Sequence, residues 1–192
     1  MAMKLDPANG ATLEQSVALQ QIVLSDPGDA STRKLTIRGT GPEYNAASPG
    51  SLGDPTCGAP DGGGARLQLL GDGDSPVTED IELPCSRWAA LGDAARPAGY
   101  QYSDPRQQDG PCTTAEIRIK ARRGQMRVVC RSSASFPLTF DLGGAPQQRM
   151  SMRLSLGAAP YCSDIGGGAG HVAVDTATLF RAGAGTRPME CR

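Results

Sequence analysis

The chain has 192 residues, with 19 Lys and Arg against 20 Asp and Glu, and 39% of its residues are apolar. That near-neutral balance supplies no strong field to draw nucleic acid or anionic membrane toward the protein, so nucleic-acid binding is not expected. No stretch approaches the roughly 20 apolar residues that a membrane helix needs, so no membrane insertion is expected either.

Abundant Gly (25) and Pro (15) with few aromatics is the mix of short strands joined by many turns. A chain of this length fits a single β domain over 1–192, or two coupled β units at about 1–92 and 93–192, with a core that needs no external staples. Each half has a strand pair, a glycine-rich loop and a cysteine-tethered segment, without a residue-level repeat. The opening Met1-Ala2-Met3-Lys4-Leu5 lacks an apolar run of the signal-peptide kind, and Met1-Ala2 reads as a replacement start where an export signal was removed.

In chain order, strands are predicted at Val17 to Leu24, Leu35-Thr36-Ile37, Leu67-Gln68-Leu69 and Ile81-Glu82-Leu83. Gly39 to Gly64 reads as a loop of 26 residues, beyond ordinary connection lengths, with Cys57 as its anchor. Gly71 to Pro76 and Asp93 to Pro111 are two further loops. Ser86 to Leu91 is read as one helical turn stopped by Gly92, docking through Trp88 and Leu91. Ala115 to Ala121 and Met126 to Cys130 alternate on either side of a turn at Arg123-Gly124 and form a β-hairpin, with Lys120-Ala121-Arg122-Arg123 as its solvated tip. Leu138 to Leu142 and His171 to Val174 add strands. The clearest strand is Arg149 to Leu156, in which Met150, Met152, Leu154 and Leu156 should face the core and Gly157 ends the run. The fold class that follows is all-β, an antiparallel β-sandwich or barrel-like domain with long Gly/Pro-rich loops and at most one or two short helical turns.

Six cysteines at 57, 85, 112, 130, 162 and 191 are an even number, and none has CxxC or Cys/His zinc spacing, so no metal centre or other cofactor is expected. The hairpin makes Cys112 and Cys130 neighbours that can bridge. Cys57 with Cys85 would then tie the long loop to the strand ending at Leu83, and Cys162 with Cys191 would pin the C-terminal tail. Three disulfides imply an oxidising compartment: secreted, periplasmic or at the cell surface.

Several motifs resemble a family of exported, disulfide-containing bacterial β-rich domains with no assigned function. They are Gly53-Asp54-Pro55-Thr56, Leu83-Pro84 with Trp88 and Leu91-Gly92, Gly99-Tyr100-Gln101-Tyr102-Ser103-Asp104, and Gly110-Pro111-Cys112. Leu156-Gly157, Tyr161-Cys162, Gly166-Gly167, Phe180 with Ala182, and Cys191 continue the series over about residues 50 to 192. The resemblance implies export and the pairings 112 with 130 and 162 with 191. It supplies no catalytic residue, and His171 and Gly168 depart from its pattern.

Three groups of residues carry candidate chemistry. Tyr161 to His171 gathers Ser163, Asp164, a glycine-rich backbone and the only histidine, His171, which are the types a serine hydrolase uses as nucleophile, orienting acid, oxyanion donors and base. Asp175 is the alternative orienting acid. No GxSxG elbow accompanies them, and the same glycines suit a tight loop with positive φ. Trp88, Tyr100 and Tyr102 can form an aromatic platform for a sugar ring or a partner, or equally pack the core. Asp72, Asp74 and Asp80 offer alternating oxygen ligands for calcium, although a solvated turn is the plainer account.

These features rank an exported, non-enzymatic binding or cell-surface interaction module first, with a cell-surface, glycan or small-molecule ligand. A small secreted hydrolase of esters or phosphoesters, using the 161–175 segment, ranks second.

Overall fold

The computed structural model describes residues 15–41, 47–93, 96–120, 123–167 and 171–188. Strands β1 (Gln15–Ser16), β2 (Leu19–Ser25), β3 (Lys34–Gly41), β4 (Ala65–Gly71), β5 (Thr78–Leu83) and β6 (Trp88–Asp93) come first. They are followed by β7 (Arg96–Ser103), β8 (Cys112–Lys120), β9 (Arg123–Arg131), β10 (Arg149–Leu156), β11 (Ala159–Gly166), β12 (His171–Thr176) and β13 (Leu179–Gly183). Short 3-10 turns at Ala30–Thr32 and Cys85–Arg87 are the helical elements among the described residues.

Two sheets form, a five-stranded one in the order β1-β11-β10-β4-β5 and an eight-stranded one in the order β12-β13-β2-β3-β9-β8-β7-β6. The chain is an all-β sandwich and not a closed barrel. Both sheets draw strands from both halves of the sequence, and the buried apolar residues of the two make one cluster. In β10 the period-two pattern works as alternation requires, because Met150, Met152, Leu154 and Leu156 are all buried while the intervening residues are half-buried on the other face. Gly157 then turns the chain at φ 48°, where a Cβ would lie 2.3 Å from the Leu52 carbonyl oxygen. Only glycine fits so close an approach.

The expected disulfides Cys57–Cys85 and Cys112–Cys130 both form. The first, with Cα atoms 4.9 Å apart, fastens the long loop to the 3-10 turn after β5. The second joins register partners of β8 and β9. Cys162 is itself disulfide-bonded, but its expected partner, Cys191, lies outside the described residues.

Several segments differ from the sequence reading. Trp88 to Leu91 is not a helical turn but the start of β6, because ladder pairing with β7 satisfies its backbone; the 3-10 turn sits just before it. Much of Asp93 to Pro111 is likewise strand β7, which pairs on both sides. Arg123 and Gly124 lie within β9, opposite Lys120 and Ile119, and so belong to the ladder and not to a turn. Leu138 to Leu142 joins no sheet ladder, although Leu138, Phe140 and Leu142 are buried in strand-like alternation.

That last segment has its backbone satisfied by carboxylates. Glu79 of β5 accepts the N–H of Thr139 at 2.7 Å and of Phe140 at 3.0 Å, and Asp26 accepts the N–H of Leu142 at 3.1 Å. Other buried acids work the same way. Asp54 accepts from Gly50 and Thr56, and Asp104 from Gln108 and Asp109. A buried carboxylate is tolerated when several N–H groups share its charge, and loops without ladder partners supply such donors.

Candidate functional site

The glycine-rich segment does not form a loop at its start, since Ala159 to Gly166 is β11. Ser163 is 1% exposed, and its hydroxyl is held at both ends: it donates to the Thr186 carbonyl at 3.2 Å and accepts the Leu19 N–H at 3.3 Å. Asp164 faces the outside of the five-stranded sheet, where it accepts from Arg149 at 2.5 Å and from the Ser151 hydroxyl at 2.6 Å. His171 is exposed at the start of β12, on the other sheet, opposite Gly183. Asp175 accepts the N–H groups of Gln147 and Gln148. Gly166 has φ 91°, and a Cβ there would lie 2.3 Å from the Gln148 carbonyl oxygen, so its freedom serves close packing of backbone on backbone. The described contacts of Ser163, Asp164 and Asp175 thus each go to a different structural partner.

The three aromatics lie in the core, with Trp88 6%, Tyr100 1% and Tyr102 0% exposed. Trp88 and Tyr102 are register partners of β6 and β7 whose rings meet edge to face at 5.6 Å. Trp88 donates to the Leu83 carbonyl and Tyr100 to the Ala47 carbonyl, so their polar ends anchor neighbouring segments. Burial pushes the hydroxyls of Tyr100, Tyr102 and Tyr161 up to about 12.

Of the three candidate calcium ligands, Asp72 and Asp74 are exposed, and Asp80, on β5, is committed to Arg66 through a two-pronged ion pair with a third bond from Gln68. The Arg66 guanidinium holds the Asp80 carboxyl below its ordinary value. Among the described residues no three His, Cys, Asp or Glu side chains cluster as metal ligands would.

An open concavity of about 550 Å³ lies elsewhere, across β10, β4 and β5 and reaching Thr139. Register builds its floor from two rows: Ser151, Leu70 and Thr78, then Arg153, Gln68 and Asp80. Asp164 extends the first row on β11. Leu70 is 49% exposed, and the half-buried Arg153 makes no side-chain hydrogen bond or ion pair among the described residues. The groove therefore presents an uncommitted guanidinium beside amide and hydroxyl groups and one aliphatic contact. Nothing in the sequence marks it, because cross-strand register, and not spacing along the chain, assembles it. No family model, curated protein or solved structure matches the chain.

Proposed function

We propose that the chain is an exported, non-enzymatic binding module, of the kind its motifs resemble, that takes a glycan or small polar ligand on the outer face of the five-stranded sheet. The observation that carries this reading is the Arg153 guanidinium, without a side-chain partner among the described residues, in the floor of this groove beside the exposed Leu70. A free guanidinium on a regular strand is a preorganised fork for a carboxylate or other acceptor. Leu70 supplies the apolar contact, and Gln68, Thr78 and Ser151 supply hydrogen bonds of the kind that orient a polar ligand. The two disulfides support export, since such bonds persist in oxidising compartments. The hydrolase reading would require Ser163 to give up both backbone partners before it could act.

A glycan and metabolite array run beside an ester and phosphoester hydrolysis panel separates the two readings. Saturable binding that falls about tenfold or more in Arg153→Gln, with no turnover, is expected. Turnover that disappears in Ser163→Ala would overturn it.

A further inference from the structure

The outer face of the eight-stranded sheet carries a charge pattern that the near-neutral composition conceals. Its four central strands, β2, β3, β9 and β8, contain Lys34, Arg38, Arg118, Arg123, Arg127 and Arg131 against one carboxylate, Glu116, which is paired with Arg118 at 3.0 Å. Arg38 and Arg127 are direct register partners across β3 and β9, and so are Lys34 and Arg131. All four are exposed, and none makes a side-chain hydrogen bond or ion pair among the described residues. Like charges directly opposite one another weaken a strand pair; Arg127 also has Glu116 opposite it on β8, whereas the Lys34/Arg131 pair has no carboxylate as a register partner.

The pairs lie four residues apart, about 13 Å along the strands, with Thr36 and Val129 between them. An open concavity of about 400 Å³ lies over Arg38 and Arg127 and is edged by Gln20, Thr40 and Gln125, whose amides and hydroxyl suit a hydroxylated chain. We propose that this face binds a linear anionic glycan, carboxylated or sulfated, lying along β3 and β9 with successive acidic groups on the Arg38/Arg127 and Lys34/Arg131 pairs. This surface is separate from the Arg153 groove on the opposite sheet and does not depend on it. The four strands carry no aromatic side chain on which a nucleic-acid base could stack. Their exposed large apolar residue, Ile119, sits near a strand end and offers a bilayer no central anchor.

Calorimetric titration of the whole protein with heparin, with polygalacturonate and with neutral dextran tests this. Binding to at least one of the anionic polymers, none to dextran, and weakening of about tenfold between about 50 and 200 mM salt are expected. Arg38→Gln/Arg127→Gln and, separately, Lys34→Gln/Arg131→Gln should each weaken binding by about tenfold or more, while Arg66→Gln on the opposite sheet leaves it unchanged. Thermal melting of both double variants should be unchanged or higher, since each removes a like-charge pair. Absence of binding to both anionic polymers at low salt, or double variants that bind as the unaltered protein does, would overturn the proposal. Equal affinity for double-stranded DNA or phosphatidylglycerol vesicles would overturn the assignment to a glycan.

Discussion

Glu79 Oε2 accepts the backbone N–H of Thr139 at 2.7 Å, and through that contact an edge strand of the five-stranded sheet holds a segment that no ladder holds. The same oxygen takes the Phe140 N–H, and Oε1 takes the Thr139 hydroxyl at 3.0 Å. Glu79→Gln sets an amide donor among these donors and should cost about 1 to 3 kcal/mol. For a chain of this size that lowers the melting temperature by roughly 2 to 10 °C, with faster amide exchange at Leu138 to Leu142 as the local signature.

Acid should act on the same type of contact. Burial alone would raise the Asp26 carboxyl, but the Leu142 N–H, the Arg33 guanidinium and the Gly28 N–H together outweigh it and hold it below 3.8. At Asp104 burial is again opposed, here by the N–H groups of Gln108 and Asp109 and by Arg87, and the net direction is down. Carboxyls lowered in the folded state contribute stability that is fully present above 3.8 and is lost as pH falls through their folded values. Denaturant titrations should therefore give a midpoint that is constant between about pH 5 and about pH 9 and falls below about pH 4, less steeply in Asp26→Asn.

Base should act through the tyrosines. Tyr100, Tyr102 and Tyr161 are pushed up to about 12 by burial, so their neutral forms stabilise the fold fully below the ordinary value of 10.0. That contribution is lost as pH rises from 10.0 toward about 12, and ultraviolet absorbance should show their ionisation coinciding with unfolding.

The disulfide Cys57–Cys85 closes a sequence separation of 28 residues, and Cys112–Cys130 one of 18. In the chain-entropy model each contributes about 3 to 4 kcal/mol. Cys57→Ala/Cys85→Ala should lower stability by that amount and expose residues 47–64 to protease, while Cys112→Ala/Cys130→Ala lowers stability without opening that loop.

The legible part of the fold was the part whose backbone partners lie in ladders with clean alternation. Met150 to Leu156 and the two strands that pair Cys112 with Cys130 read correctly because inward and outward residues differ in polarity, although the turn between them did not. Ala159 to Gly166 was hidden because it is buried on nearly every residue, which erases alternation, and its proline and closing glycine mimic a loop. Trp88 to Asp93 was hidden by an apolar spacing that also suits a helical turn. Leu138 to Leu142 shows the converse: its alternation is real, but carboxylates on Glu79 and Asp26 replace the neighbouring strand. Of the site, Ser163, Asp164 and His171 were found as residue types close in sequence, yet period-two geometry sends Ser163 inward and Asp164 outward. Arg153 drew no notice in the sequence because its significance depends on which strands lie beside it.

Chemical-shift mapping of the backbone amides, with the ligand that the array identifies, tests the binding reading most directly. Shifts confined to the groove, at Gln68, Leu70, Thr78, Ser151 and Arg153, and their loss in Arg153→Gln, are expected. Shifts centred instead on Ser163 and His171, with the groove amides unmoved, would contradict it.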